Sequence, residues 1–325
     1  MKVVQPLKLT GTQYAQYPTE AMGYSNATDY PAWNIATAYV PGDRVIVDSL
    51  QSQFECISAH TGTAPTLIMT TPWVRIGATN AWRAFDKVIS APFVGYDDAL
   101  SGHGIWYNTF VVTGIKERFN TVAVLETNAV SCTVIMRDQL GALVYEKTMF
   151  GSDNSGVVDH WQYCFGEVVV RRAYIVDDIP GWGTASGSGA RLEITLLTAT
   201  GGTDAPILSV GEIVIGNAIV IGKTMADPVK RLVDYSVKEP DQYGNIVVVP
   251  RAYAYEADFD IKIEPARKVL VDNLAASIRS IPCLFFPSAE EGNQNVYIYG
   301  YIGSLDTAYS TPEYIHATLQ VKGLT

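Results

Sequence analysis

Three groups of residues in this sequence have the types and spacing to do chemistry. The first is a run of large rings between residues 31 and 85: Trp33, Tyr39, His60, Trp73 and Trp82, separated by glycines and prolines. Flat aromatic faces are negative and stack on the positive C–H faces of sugar rings. The second is tyrosines at alternate positions, Tyr297, Tyr299 and Tyr301, with a shorter echo at Tyr253 and Tyr255. A strand sends every second side chain to one face. The spacing therefore predicts an aromatic strip that stacks sugars or seals a subunit interface. A half-buried strand whose tyrosines cover a neighbouring sheet gives the same pattern. The third is adjacent carboxylates: Asp97-Asp98, Asp177-Asp178 and Glu290-Glu291. Glycoside hydrolysis needs two carboxyl groups flanking the bond across a rigid groove, whereas neighbours on a strand point apart. Solvated loop charges are the plainer reading, with a loop calcium site as the alternative at either Asp pair.

Other catalytic signals are missing from the pattern. His60, His103, His160 and His316 stand apart, without metal-ligand spacing. His160 has Asp159 and Trp161 beside it, which suits either a polar site or a satisfied structural histidine. There is no nucleophile elbow and no phosphate-binding loop. The glycine-rich run 181–189 follows a proline turn and leads into a strand, where a phosphate cradle needs a helix N-terminus. Trp106, Trp161 and Trp182 remain as further candidate sugar platforms. No catalytic residue, metal or cofactor is assigned, and the chain reads as a non-enzyme.

The elements that must position the first group are short. Tyr39-Val40-Pro41-Gly42-Asp43 turns into a strand at 44–47, and a second strand at 53–58 leads to a Gly62/Pro65 loop and Trp73. A unit of about fifty residues has too little volume for a large apolar core, so a few big rings must fill it. On that ground Trp33, Tyr39 and Trp73 read as core, with His60 and Trp82 exposed, or with Trp82 packing the unit onto the next region of the chain. The order Ala32-Trp33, Tyr39, Gly42-Asp43, Val45, Phe54, Thr61, Gly62, Pro65, Trp73 resembles the small chitin-binding modules of carbohydrate-binding families five and twelve. Ala59 and His60 stand where the sugar-binding members carry exposed aromatics. The resemblance implies a small three-stranded fold and a glycan ligand.

Composition limits the classes open to the whole chain. Its 325 residues are 48% hydrophobic and only 17% charged, with 27 glycines and 19 tyrosines. Abundant valine, threonine and tyrosine favour strands over helices. A net charge of −10, with no long run of Lys or Arg, argues against a nucleic-acid partner. No segment has the length and apolarity of a membrane span, and residues 1–18 lack the apolar stretch of a secretory signal. Synthesis in a host cytoplasm without a signal peptide is the expectation. The cysteines at 56, 132, 164 and 283 show no CxxC spacing and read as reduced, buried residues, a Cys132–Cys164 pair being the alternative.

The chain divides into four regions. Residues 1–30 carry Tyr14, Tyr17, Tyr24 and Tyr30 without a period, and read as an extended arm ordered by packing its tyrosines against something else, with a flexible tail as the alternative. Residues 31–82 are the small module. Residues 83–225 hold strands at 109–113, 121–127, 131–137, 143–148, 167–176, 190–197 and 212–221 separated by turn residues, the pattern of a jelly-roll-like β-sandwich. Residues 226–325 read as α+β. Strands are expected at 246–249, 251–255, 259–263, 283–286, 296–302 and 315–321. A helix from Pro265 through Arg279 would bury Val269, Val271, Leu274 and Ile278. The fold class is mainly β.

Gly211–Gly222, Asp234-Tyr235-Ser236 and Asp241–Asn245, placed after the module and the strand-rich region, are similar in order to tail or baseplate proteins of tailed bacteriophages. That resemblance implies a virion tail component that assembles in several copies with other tail proteins and touches host-surface glycan. A stand-alone lectin and a polysaccharide-degrading enzyme with a binding appendage are the alternatives.

Overall fold

The computed structural model describes residues 1–17, 29–68, 72–95, 107–153, 158–165, 169–180, 189–198, 207–225, 228–240, 243–287, 296–308 and 313–324. The protein is mainly β, with a curled antiparallel sheet and a short C-terminal helix. A five-stranded antiparallel sheet runs in the order Leu143–Phe150, Ser131–Arg137, Ala190–Leu197, Tyr107–Ile115, Tyr14–Tyr17. In its middle strands every second residue is buried: Cys132, Val134 and Met136 on one, Leu192, Ile194 and Leu196 on the next. These side chains close on Val122, Val124, Val176, Ile213 and Ile215 from a second sheet, making a sandwich core. Burying each such side chain stabilises the fold by about 1.5–3 kcal/mol.

The second sheet holds eleven strands among the described residues and runs well beyond the sandwich. Its first part is Ala173–Val176, Thr121–Thr127 and Ser209–Val220. Its second part is Cys283–Phe286, Ile298–Ala308, Ile315–Gly323 and Tyr253–Ile263. Thr121–Thr127 is apolar through its middle because both faces are covered. Val122 and Val124 face the sandwich, while Ala123 and Leu125 face a separate cluster with Val4, Val214, Leu284, Phe286 and Tyr299.

The joint between the two parts is the opening strand. Lys2–Pro6 pairs antiparallel with Ser209–Val220 on one side and with Cys283–Phe286 on the other. Val3 is 2% and Val4 0% exposed, and they enter different cores. The start of the chain is therefore no arm: it is a central strand of the largest sheet. Pro6, which has no donor for a ladder, closes it. Tyr14–Tyr17 likewise forms the edge of the five-stranded sheet against Tyr107–Ile115.

In the C-terminal region the helix Lys268–Ile278 follows a 3₁₀ turn that begins at Pro265, and packs on one face of the sheet. Val271 and Ile278 are buried and Leu274 is partly so, but Val269 is 70% exposed. The expected four-residue stripe thus keeps three members. The strand expected over 167–176 is two short strands, Val169–Val170 and Ala173–Val176. The chain leaves one ladder for another between them. All four cysteines are free. Cys56, Cys132 and Cys283 are buried, whereas Cys164 is exposed, unlike its expected burial.

Among the described residues the small module holds a three-stranded sheet, Arg44–Val47, Ser52–Cys56 and Trp73–Ala78, and beside it the two-residue strands Ala38–Tyr39 and His60–Thr61. Its core is Tyr39, Val45, Phe54, Cys56 and Trp73, with Trp33, Val47 and Leu50 packed against it. A 3₁₀ turn, Asn80–Phe85, carries it onto the sandwich, where Trp82 and Phe85 meet Tyr14 edge to face, with ring centres 6.0 and 4.9 Å away. No helix among the described residues is long and apolar enough to cross a membrane.

Candidate functional site

The module's rings converge, and they converge inward. His60 and Tyr39 are brought side by side by the two-residue pairing of Ala38–Tyr39 with His60–Thr61. Trp73 stands edge-on to both, at 5.0 Å from Tyr39 and 4.9 Å from His60. Its indole N–H donates to the Thr63 carbonyl at 2.8 Å. The Tyr39 hydroxyl accepts from the Asn34 amide at 2.8 Å. The Trp33 indole nitrogen and both ring nitrogens of His60 are shielded from water and have no hydrogen-bond partner among the described residues. Each such group costs about 1–3 kcal/mol when left unmatched. His60 is half-buried, not exposed as expected, and Ala59 beside it is exposed. Trp82 is half-buried too, because its ring packs on Tyr14 and Phe85.

The other sugar and interface candidates are scattered. Trp161 is 69% exposed on the short helix His160–Phe165. Trp106, Trp182 and Tyr24 lie outside the described residues, as do the Asp97-Asp98 and Glu290-Glu291 pairs. Tyr17 is placed by its backbone pairing with Thr109, and nothing is described of its side chain. Tyr14, half-buried, packs its ring within the chain against Trp82, Phe85 and Phe110. Asp177 is ion-paired with Lys2, and Asp178 accepts from the Tyr145 hydroxyl at 2.6 Å and from Lys147 at 3.0 Å.

The tyrosines of the second group do come together, and around them is a cavity of about 340 Å³. Tyr253 and Tyr255 open the strand Tyr253–Ile263, and Val229–Asp234 pairs with it and brings in Lys230. Tyr297 and Tyr299 arrive from the start of Ile298–Ala308. Ile89 and Pro92 form another wall, and Glu126 enters from the end of Thr121–Thr127. Tyr301, the third of the strip, is 40% exposed beyond the cavity. The Tyr253 and Tyr255 rings meet at 5.7 Å and 85°. The Lys230 ammonium lies 4.2 Å from the centre of the Tyr255 ring and 5.2 Å from that of Tyr297, within cation–π range.

Glu126 is the pivot of this site. The Tyr297 hydroxyl donates to its Oε1 at 2.9 Å, and the Arg172 guanidinium lies 3.6 Å from its other oxygen. Arg172 also donates to the Tyr253 hydroxyl at 3.4 Å. Strand alternation after Val122 and Val124 would send residue 126 into the apolar sandwich core. Instead Glu126 adopts φ +48°, in the left-handed region, and its carboxylate sits on the cavity side. Such a conformation costs about 1–3 kcal/mol in a non-glycine residue and persists only where the surroundings hold it. Gly211 is part of that hold: a Cβ there would come within 3.0 Å of the Glu126 Cβ and 3.2 Å of Ile89.

Behind the cavity, the Tyr299 hydroxyl donates to Glu212 at 3.4 Å, and the Lys87 amide donates to the other Glu212 oxygen at 2.8 Å. Burial pushes the Glu212 carboxyl well above the ordinary carboxylate range, and pushes its neighbour Asp86 up to about 6. Burial lowers Lys230, an effect partly offset by Glu126. Tyr297 is held well above its usual value by burial and by Glu126. The arrangement offers aromatic rings, the Lys230 ammonium and the Glu126 carboxylate around a space open to solvent, with Arg172 paired to Glu126.

Sequence reasoning found the tyrosines and missed Lys230, Glu126, Arg172 and Glu212. A signal existed for two of them. Glu126 and Glu212 are the charges inside the apolar runs 121–127 and 212–215, and a charge in a fully buried strand needs a reason. No family model, curated protein or solved structure matches the chain.

Proposed function

We propose that this protein is a non-enzymatic structural component of a bacteriophage tail tip or baseplate. It assembles in several copies with other virion tail proteins and contacts host-surface carbohydrate. The observation that carries the assembly reading is a projecting hairpin, Val237–Pro240 paired with Ile246–Val249 and, among the described residues, with no other strand. Ile246, Val247, Val248 and Val249 are 71, 51, 54 and 49% exposed. A lone two-stranded hairpin is marginal in water, and contiguous exposed apolar surface marks an interaction site. Val229 and Leu232 on the neighbouring strand extend the same exposed apolar character. The resemblance in segment order to tail proteins supports the virion setting, and avidity over several copies would let weak glycan contacts add up.

Light scattering on the full chain and on a Val247→Glu/Val249→Glu double variant tests the assembly. A multimer is expected for the parent and a monomer of unchanged melting temperature for the variant. A parent that stays monomeric at high concentration and still binds glycan would favour the stand-alone lectin, which the tyrosine-lined cavity equally suits.

A further inference from the structure

We infer that the cavity between Tyr253, Tyr255, Tyr297 and Glu126 is a binding site for a single pyranose ring of a saccharide. This rests on the carbohydrate half of the proposed function and places it away from the small module, whose rings are turned inward. Four features converge. At about 340 Å³ the space lies at the small end of ligand pockets, with room for a single sugar ring. Tyr253 and Tyr255, at 85° to each other, both line the space, and a pyranose offers C–H faces that stack on aromatic rings.

The polar groups fit hydroxyls. Glu126 can only accept, while Lys230 can only donate, and a pair of neighbouring sugar hydroxyls does both. A phosphorylated ligand would meet Glu126, which stands within ion-pair reach of Arg172 and in the field of Lys230. Glu126 is also fixed in advance by its left-handed backbone, by Tyr297 and by close packing over Gly211. Groups already ordered lose little on binding.

Saturation-transfer NMR on the full chain is the test. The probes are the methyl glycosides of glucose, galactose, mannose, rhamnose, N-acetylglucosamine and glucuronic acid. At least one is expected to show transfer, with its Kd raised tenfold or more in Tyr255→Ala and again in Glu126→Gln. The second variant keeps the shape of the side chain, so a fold lost through Tyr255→Ala leaves the question decidable. Silence from all six probes overturns the inference, and so does transfer that survives both substitutions. Light scattering on the same samples reports assembly independently: a parent that is multimeric yet silent toward all six probes overturns this site and leaves the structural role standing, whereas a variant that stays multimeric and loses binding supports the site.

Discussion

The small module and the tyrosine cavity are both built from aromatic rings, and they use them in opposite ways. In the module Tyr39, Phe54 and Trp73 are 7, 0 and 3% exposed, because little else is there to exclude water. Around the cavity the apolar mass comes from elsewhere. Phe259, Phe285, Phe286 and the helix residues Val271 and Ile278 fill the cores behind the sheet. Tyr253 is consequently free to stand 44% exposed at its mouth. A ring becomes available to a ligand where other residues have already made the core.

The severest way to upset this contrast is to remove what the large sheet needs and the module does not. Deleting residues 1–6 strips the strand that joins Ser209–Val220 to Cys283–Phe286. Both neighbours would then expose a full row of unpaired backbone groups, and Val3 and Val4 would leave voids in two cores. Loss of the main cooperative thermal transition is expected, read by near-ultraviolet circular dichroism. An unchanged melt would mean that the strand is a passenger. The single substitution Val4→Asp places a charge at a site with 0% exposure and should approach the same result.

A smaller perturbation probes the contrast from the other side. Phe54 is the fully buried ring of the module, and Phe54→Ala should cost about 3–5 kcal/mol. A core of five buried residues has little to set against that. Hydrogen exchange should show the strands Arg44–Val47, Ser52–Cys56 and Trp73–Ala78 losing protection while Ser131–Arg137 keeps its own. Uniform loss across the chain would show that the module and the sandwich fold as one unit, coupled through Trp82 and Tyr14.

The legibility of the sequence divides along the same line. Local periodicity locates Ser131–Arg137, Ala190–Leu197 and Thr121–Thr127, because in each the pattern of burial is written in consecutive residues. The module is legible for a similar reason, its rings and turns lying within one short stretch. The opening strand is not, since Lys2–Pro6 has no period of its own and its partners lie at the far end of long loops, Val3 standing opposite Ile219 and Phe285. The cavity is assembled from residues 126, 230, 253 and 297 among others, and no spacing links them. Nor does any sequence rule announce that Glu126 turns to a positive φ and so changes face.

The gentlest test concerns the carboxyl behind the cavity. Glu212 is 2% exposed, and its burial holds it protonated well above the usual carboxylate range. A carboxyl raised in the folded state contributes stability that is complete below its unfolded pKa. That contribution is lost as the pH rises through the folded one. Glu212→Gln removes the ionisation and keeps the shape, with an amide to serve the Lys87 N–H and the Tyr299 hydroxyl. The variant should melt with the parent at pH 4 and about 1–3 °C above it at pH 8–9, the scale expected for roughly a kcal/mol in a chain of this size. Asp86, raised to about 6, leaves both proteins a common decline near that pH. A variant less stable than the parent at pH 8–9, with the deficit vanishing at low pH, would show that Glu212 is held as a charge. The module's carboxyls Asp43, Asp48 and Glu55 are not buried. Loss of hydrogen-exchange protection on raising the pH should therefore begin at Ser209–Val220 and around Tyr299, and leave Ser52–Cys56 unchanged.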